Sequence, residues 1–142
     1  MTGIAQLIEL PEFADARGSL IVAEHGLQLP FAIERVFFVS GVGPNDTRGM
    51  HAHHACHQIL VCVHGSVTAR VDNGHETQTV RLDRPTLGLH MPPLTWGTQW
   101  DYSADAVLLV LNSMGYDPKD YIHDYDEFLE VVSAREAAGE SS

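Results

Sequence analysis

Apolar positions along this chain come in short bursts. From about residue 4 to residue 112, stretches rich in Val, Ile, Leu and Phe recur at intervals of about ten residues and are broken by turn-forming residues, the rhythm of short strands joined by turns. The spacing predicts strands near 4–9, 19–24, 33–39, 57–63, 66–72, 76–82, 86–91 and 105–112, with a further extended piece around 95–101. Asp72-Asn73-Gly74 separates Val67–Val71 from Thr77–Arg81 and fits a tight hairpin turn. Gly65, between two apolar runs, predicts another. Closely spaced antiparallel strands with one buried flank close most economically into a barrel or a double-sheet jelly roll. The tail is different, because Phe128, Val131 and Val132 fall at helical spacing. One short amphipathic helix is expected there, capped by Asp124 and ended near Gly139, with Glu140 to Ser142 frayed.

A length of 142 residues bounds the chain to one domain. Its core is expected over about 4–132, followed by a frayed tail over about 139–142, with no repeat or linker. Apolar residues make up 44% and charged residues 19%, an ordinary globular composition. No apolar stretch approaches the roughly 20 residues that a membrane span needs, and the N-terminus lacks the pattern of a secretory leader. A cytoplasmic protein without a membrane partner is expected. Cys56 and Cys62, each set among apolar residues, are expected to be reduced and buried. A net charge of -11 argues against nucleic acid as a partner. Yet of the 8 basic residues only Lys119 is not an arginine, and guanidinium forks can bind phosphate even in an acidic protein.

The candidate chemistry lies in the histidines. There are 9, and His51, His53, His54, His57 and His64 are crowded into one short stretch. On an extended strand residues i and i+2 share a face, so His51 and His53 would project together while Ala52 turns away. Two imidazoles facing a barrel interior are costly unless hydrogen-bonded or functional. The other reading of the pair is an exposed strand end. His54, His57, His64, His75 and His123 are read as solvated or structural.

The spacing of His51, His53, Gln58 and Gly65 resembles the first sequence motif of the cupins, in which two His, a Glu and a later third His bind a divalent metal. Here Gln58 stands at the Glu position, and Gly97 stands where the third His belongs. Two imidazoles fall short of the three protein ligands usual at a catalytic zinc, so no metal and no other cofactor is expected. Histidine is then left with proton transfer near neutral pH.

Within the cupins the chain resembles the sugar-nucleotide 3,4-ketoisomerases that act on dTDP-4-oxo-6-deoxyglucose. The likeness runs from about residue 8 to 132 through Asp15–Leu20, Pro30–Val36, Arg48–His53, Gln58–Ser66, Leu82–Leu89, Trp96 and Asp120–Phe128. It implies an all-β, cupin-type jelly-roll barrel with one short C-terminal helix. It also implies a homodimer able to exchange N-terminal strands, with a nucleotide-sugar pocket in each barrel. His51 is the base expected to take the C3 proton and give an enediol, with His53 orienting it or relaying the proton. Arg17, near the diphosphate, and Arg48 are the expected anion-facing groups, and Gln58 and Trp96 complete the substrate-binding set. Arg17 can also be read as a turn residue before Gly18, and Trp96 as wall packing.

Two positions depart from the family pattern. Phe37-Phe38 stand where the family carries tyrosines, one of them in the active site, so a hydroxyl donor is missing. Gly97 replaces the histidine expected after Trp96. Both departures touch the pocket, and they keep two other functions in view. One is a noncatalytic sugar-nucleotide or small-ligand binding module. The other is a metal-dependent cupin using His51 and His53 with His57 or His90.

Overall fold

The computed structural model describes residues 4–139. Apart from Gly139, the frayed end expected over 139–142 lies outside the described residues. Twelve strands, a 3-10 turn and one α-helix are present among them. In chain order the strands are β1 (Gln6–Glu9), β2 (Glu12–Asp15), β3 (Gly18–Ile21), β4 (Arg35–Ser40), β5 (Arg48–His53) and β6 (Gln58–His64). They continue as β7 (Val67–Asp72), β8 (Thr77–Leu82), β9 (Leu87–Met91), β10 (Trp96–Trp100), β11 (Val107–Asn112) and β12 (Tyr121–Ile122).

Two five-stranded sheets, in the orders β1-β9-β6-β11-β4 and β12-β5-β10-β7-β8, carry the architecture, and β2-β3 stands apart as a hairpin. Among the described residues no ladder joins the two sheets, so the expected barrel is an open double-sheet jelly roll. Leu60, Cys62, Leu108 and Val110 from the first sheet meet Val67, Ala69 and Val71 from the second in one buried cluster. The period-2 alternation of these strands places those side chains inside. Cys56 and Cys62 are both buried and free.

Two smaller clusters sit on the outer faces. Leu29 and Phe31, from the loop between β3 and β4, cover Ile59, Val61 and Leu111 on the first sheet. On the second sheet the helix α1 (Tyr125–Ala137) lays Phe128 and Val132 against Ala52, Leu94 and Ile122. Asp124 caps that helix by accepting from the Asp126 N–H, as expected of an acidic residue at this position. Full burial of Phe128 contributes on the order of 2–3 kcal/mol. No helix among the described residues is long and apolar enough to cross a membrane.

Strands β2, β5 and β12 lie outside the expected ranges, and two further elements differ in extent. The strand expected over 19–24 is the second arm of the β2-β3 hairpin and ends at Ile21. The hairpin escaped because its faces do not alternate in burial: Glu12 to Asp15 are exposed throughout. Strand β5 lacks an apolar run and was absent from the expected strands. The hairpin at Asp72-Asn73-Gly74 is where it was expected, but its loop runs over four residues. There the Asn73 side chain accepts from the N–H groups of His75 and Glu76.

Candidate active site

Between the two sheets lies a cavity of about 440 Å³. Its wall combines apolar side chains, including Phe37, Leu60, Met91 and Val110, with Arg35, Arg48, His51, Gln58, Tyr121 and His123. An apolar pocket carrying a few convergent polar groups is the usual form of a small-molecule site.

A bulge in β5 aims the central histidine. Gly97 pairs with His51, but the next residue, Thr98, pairs with Gly49, leaving Met50 as the extra residue. Met50 has φ 58° and Gly49 has φ 85°. A methionine in the left-handed region is uncommon, and such bulges gather beside active sites, where they redirect a side chain. Gly49 has no alternative, since a Cβ there would lie 2.8 Å from the Gly97 carbonyl oxygen. The pairing of β5 with β10 therefore fixes where His51 points. Its ring stands edge-on to His53, at 5.0 Å between centroids, and 5.0 Å from the ring of Tyr121.

His51 is pushed down to about 4, chiefly by burial, with His53 and His123 adding to the effect and a hydrogen bond to the Gly49 backbone opposing it. Its imidazole is uncharged at neutral pH and holds a lone pair ready for a proton. His53 lies behind it, 6% exposed. Its Nδ1 is 2.9 Å from Asp120 Oδ2, a separation that suits either an ion pair or a neutral hydrogen bond. Burial, aided by Arg35 and His123 and opposed by Asp120, lowers His53 on balance, and the geometry suits a neutral ring donating Nδ1–H to the Asp120 carboxylate. The tautomer leaves Nε2 as a buried acceptor without a partner.

Asp120 is itself buried and also accepts from the N–H groups of Ala55, at 2.7 Å, and Cys56, at 3.3 Å. His53, Cys56 and Asp120 bring three ligand-type atoms within 4.8 Å of one another. Within this group Asp120 accepts from His53 Nδ1 and the Cys56 N–H, while the Cys56 thiol donates to the His57 carbonyl oxygen at 3.3 Å.

The sequence-predicted site residues divide between places. His51, Arg48 and Gln58 line the cavity. Gln58 Nε2 donates to Asn112 Oδ1 at 2.8 Å. His53 supports His51 from behind and does not line the cavity. Two of the expected substrate-binding residues lie outside this cavity. Trp96 faces out of the sandwich, because Gly97 and Gln99 are the β10 residues on the cavity side, and it packs against Tyr125 and Phe128. Arg17 is 91% exposed at the β2-β3 turn and holds Asp15 at 2.6 Å, outside this chain's cavity.

The other candidates resolve by strand parity. Phe37 faces the cavity, whereas Phe38 is 68% exposed on the outer face. At Gly97 a Cβ would run into Met91 Cε, so Met91 occupies the room of the missing histidine. His57 Nδ1 and His90 Nε2 are 3.0 Å apart beneath Phe31 and outside the cavity. Among the described residues neither belongs to a group with His51 or His53 that could hold a metal.

Sequence reasoning missed Arg35, Tyr121 and Asp120 as site groups and set His123 aside as solvated or structural. Their segments are among those that carry the family resemblance, but no spacing rule links Asp120 to His53 across 67 residues.

A cupin-type jelly roll with a histidine-bearing cavity between its sheets is the class of protein that this fold and site define. Residues 4–133 match the pattern of the family described as "FdtA: WxcM-like, C-terminal", and the chain belongs to it. It is 38% identical over 128 residues, 90% of its length, to the TDP-4-oxo-6-deoxy-alpha-D-glucose-3,4-oxoisomerase of Aneurinibacillus thermoaerophilus, of which it covers 92%. It is also similar to a solved histidine-to-asparagine variant of the 3,4-ketoisomerase QdtA from Thermoanaerobacterium thermosaccharolyticum, in complex with TDP-4-keto-6-deoxyglucose. That match has a TM-score of 0.90 at 36% identity and covers 95% of this chain and 98% of the other. The TDP-quinovose 3,4-ketoisomerase WlaRB of Campylobacter jejuni matches with a TM-score of 0.85 at 37% identity, over 89% of this chain and 97% of the other.

Proposed function

We propose that this chain is a sugar-nucleotide 3,4-ketoisomerase, which moves the keto group of a dTDP-linked 4-oxo-6-deoxyhexose from C4 to C3 by proton transfer. The observation that carries the reading is His51, an uncharged imidazole on the wall of a cavity that also presents Arg35 and Arg48. A base poised this way suits removal of a proton next to a carbonyl. His51 takes the C3 proton, the C3–H pair forms a C3–C4 double bond, and the carbonyl pair moves onto O4. A proton returned to C4 and the shift of the hydroxyl proton from O3 to O4 complete the exchange. His53 keeps His51 in place, and Arg48 and Gln58 contact the substrate. The reaction uses no metal or other cofactor.

The working form is a cytoplasmic homodimer. Val36 and Phe38 on β4 and Val63 on β6 are large apolar residues left exposed on the first sheet, and Phe13 and Leu20 are exposed on the β2-β3 hairpin, apolar surface that a second copy would cover. Exchange of the N-terminal strands would carry Arg17 toward the partner's cavity and give that residue its role at the diphosphate.

The test is incubation of the protein with dTDP-4-oxo-6-deoxyglucose in the presence of a strong chelator. Formation of the 3-oxo isomer supports the reading. Unchanged substrate with intact dTDP binding would instead favour a binding module that has lost its chemistry, and activity that chelator abolishes would require a metal.

A further inference from the structure

Removing a proton from C3 of a 4-oxo sugar drives negative charge onto O4, and that oxygen needs hydrogen-bond donors fixed in advance. Phe37 and Gly97, which line the cavity, carry no side-chain donor. A different wall supplies the donors. Tyr121, on β12, lines the same cavity, with its ring 5.0 Å from His51 and 4.5 Å from His53. Its hydroxyl oxygen accepts from Arg35 Nη1 at 3.4 Å. Because that N–H occupies a lone pair of the phenol, the hydroxyl hydrogen is turned away from Arg35 and is free to be donated.

Arg35 is unusual in its own right. Its guanidinium lies over the rings of Phe37 and Tyr116, at 4.9 and 5.2 Å. Among the described residues no carboxylate lies within ion-pair distance of it, although the chain carries 19 acidic residues. A half-buried cation clamped between aromatic rings, facing a cavity and left without a counter-ion, is held for an anion that arrives. Arg48 is also on this wall but is exposed, which suits the nucleotide's phosphates. Arg35, tied to the phenol beside His51, is placed for the reacting end.

We infer that Tyr121 and Arg35 together hold the substrate oxygen on which charge develops, Tyr121 by donating its hydroxyl hydrogen and Arg35 by fixing that phenol and lending its charge. The inference rests on the ketoisomerase reading. As the C3–H pair becomes the C3–C4 double bond, the former carbonyl pair settles on O4 and is met by these donors, while the C3 proton sits on His51. No further reactant is needed.

Tyr121→Phe tests this without disturbing the ring contacts that hold β12, and a thermal melt confirms the fold. The expected result is a fall in kcat of about 100-fold, a parallel fall in exchange of the C3 hydrogen with solvent, and unchanged affinity for dTDP. Arg35→Gln should lower kcat similarly with dTDP affinity kept. Wild-type kcat in Tyr121→Phe would overturn the inference. So would weakened dTDP binding at unchanged kcat, which would assign the pair to the nucleotide. If the wild-type protein forms no 3-oxo isomer, the ketoisomerase reading fails and this inference fails with it.

Discussion

Replacing Asp120 probes how the site is held together. The carboxylate is 7% exposed and accepts from His53 Nδ1 at 2.9 Å, Ala55 N–H at 2.7 Å and Cys56 N–H at 3.3 Å. Asp120→Ala strands the buried donors of His53 and Cys56, each costing about 1–3 kcal/mol before relaxation, and the part-buried Ala55 N–H, which water can reach. Partial rehydration reduces the total to about 3–5 kcal/mol. Asp120→Asn keeps one oxygen, which the two backbone N–H groups compete for, and its amide then faces His53 Nδ1 as a donor. The imidazole must move its proton to Nε2, a buried atom with no partner. That variant should lose about 2–3 kcal/mol, from weakened charge-assisted bonds and an unsatisfied N–H. Urea unfolding measures the loss, and ring nitrogen shifts of His53 report the tautomer. Since 1.4 kcal/mol is a factor of ten in rate, a shift of that size in the support of His51 lowers kcat at least tenfold. If Asp120→Asn kept wild-type stability and its proton on Nδ1, Asp120 would not be what sets the tautomer.

His51→Asn should abolish turnover while the melting curve stays within a few degrees of wild type, whereas His53→Asn should retain measurable activity; equal wild-type rates in both would place the base elsewhere. Stability should also report the suppressed charge on His51. Its value in the fold is about 4 against 6.5 unfolded, so the unfolded chain binds more protons between those values. The contribution is complete above pH 6.5 and is lost as pH falls toward 4, by roughly 2 kcal/mol once partial exposure of the ring is allowed for. His53, His57 and His90 are lowered too, so the test is the difference between wild type and His51→Asn in denaturant unfolding at pH 7.5 and pH 4.5, and equal pH dependences would contradict the account. Gly97→Ala brings a Cβ against Met91 Cε and should cost about 1 kcal/mol, because only a terminal methyl has to move; with Met91→Ala in the background that cost should vanish, and strict additivity would show that the two do not share the space.

The fold was legible wherever strands alternate around a shared core. β4, β6, β7, β8, β9 and β11 announce themselves through runs such as Val107 to Leu111, in which Leu108 and Val110 join the central core and Leu111 the cluster on the outer face. Of the β2-β3 hairpin only the second arm did, as the strand expected over 19–24; β2 did not, because Glu12 to Asp15 are exposed throughout and no burial signal marks such a strand. His51 was legible from its spacing with His53, but the reason it points into the cavity was not. That reason is the bulge at Met50, a departure from period 2 that the residues themselves do not betray. Trp96 shows the converse error: an aromatic next to a site glycine belongs by strand parity to the opposite face. Asp120, Tyr121 and Arg35 reach His51 and His53 only through the pairing of β12 with β5 and the neighbourhood of β4, contacts that need the folded chain.

Proton transfer by His51 is the centre of the account, and hydrogen exchange at the sugar measures it most directly. Wild-type protein and His51→Asn would each be incubated with dTDP-4-oxo-6-deoxyglucose in deuterium oxide and followed by proton NMR. The account predicts loss of the C3 proton signal together with growth of the 3-oxo isomer for wild type. For His51→Asn it predicts a persistent C3 signal at unimpaired dTDP binding. C3 exchange at the wild-type rate in His51→Asn would contradict it.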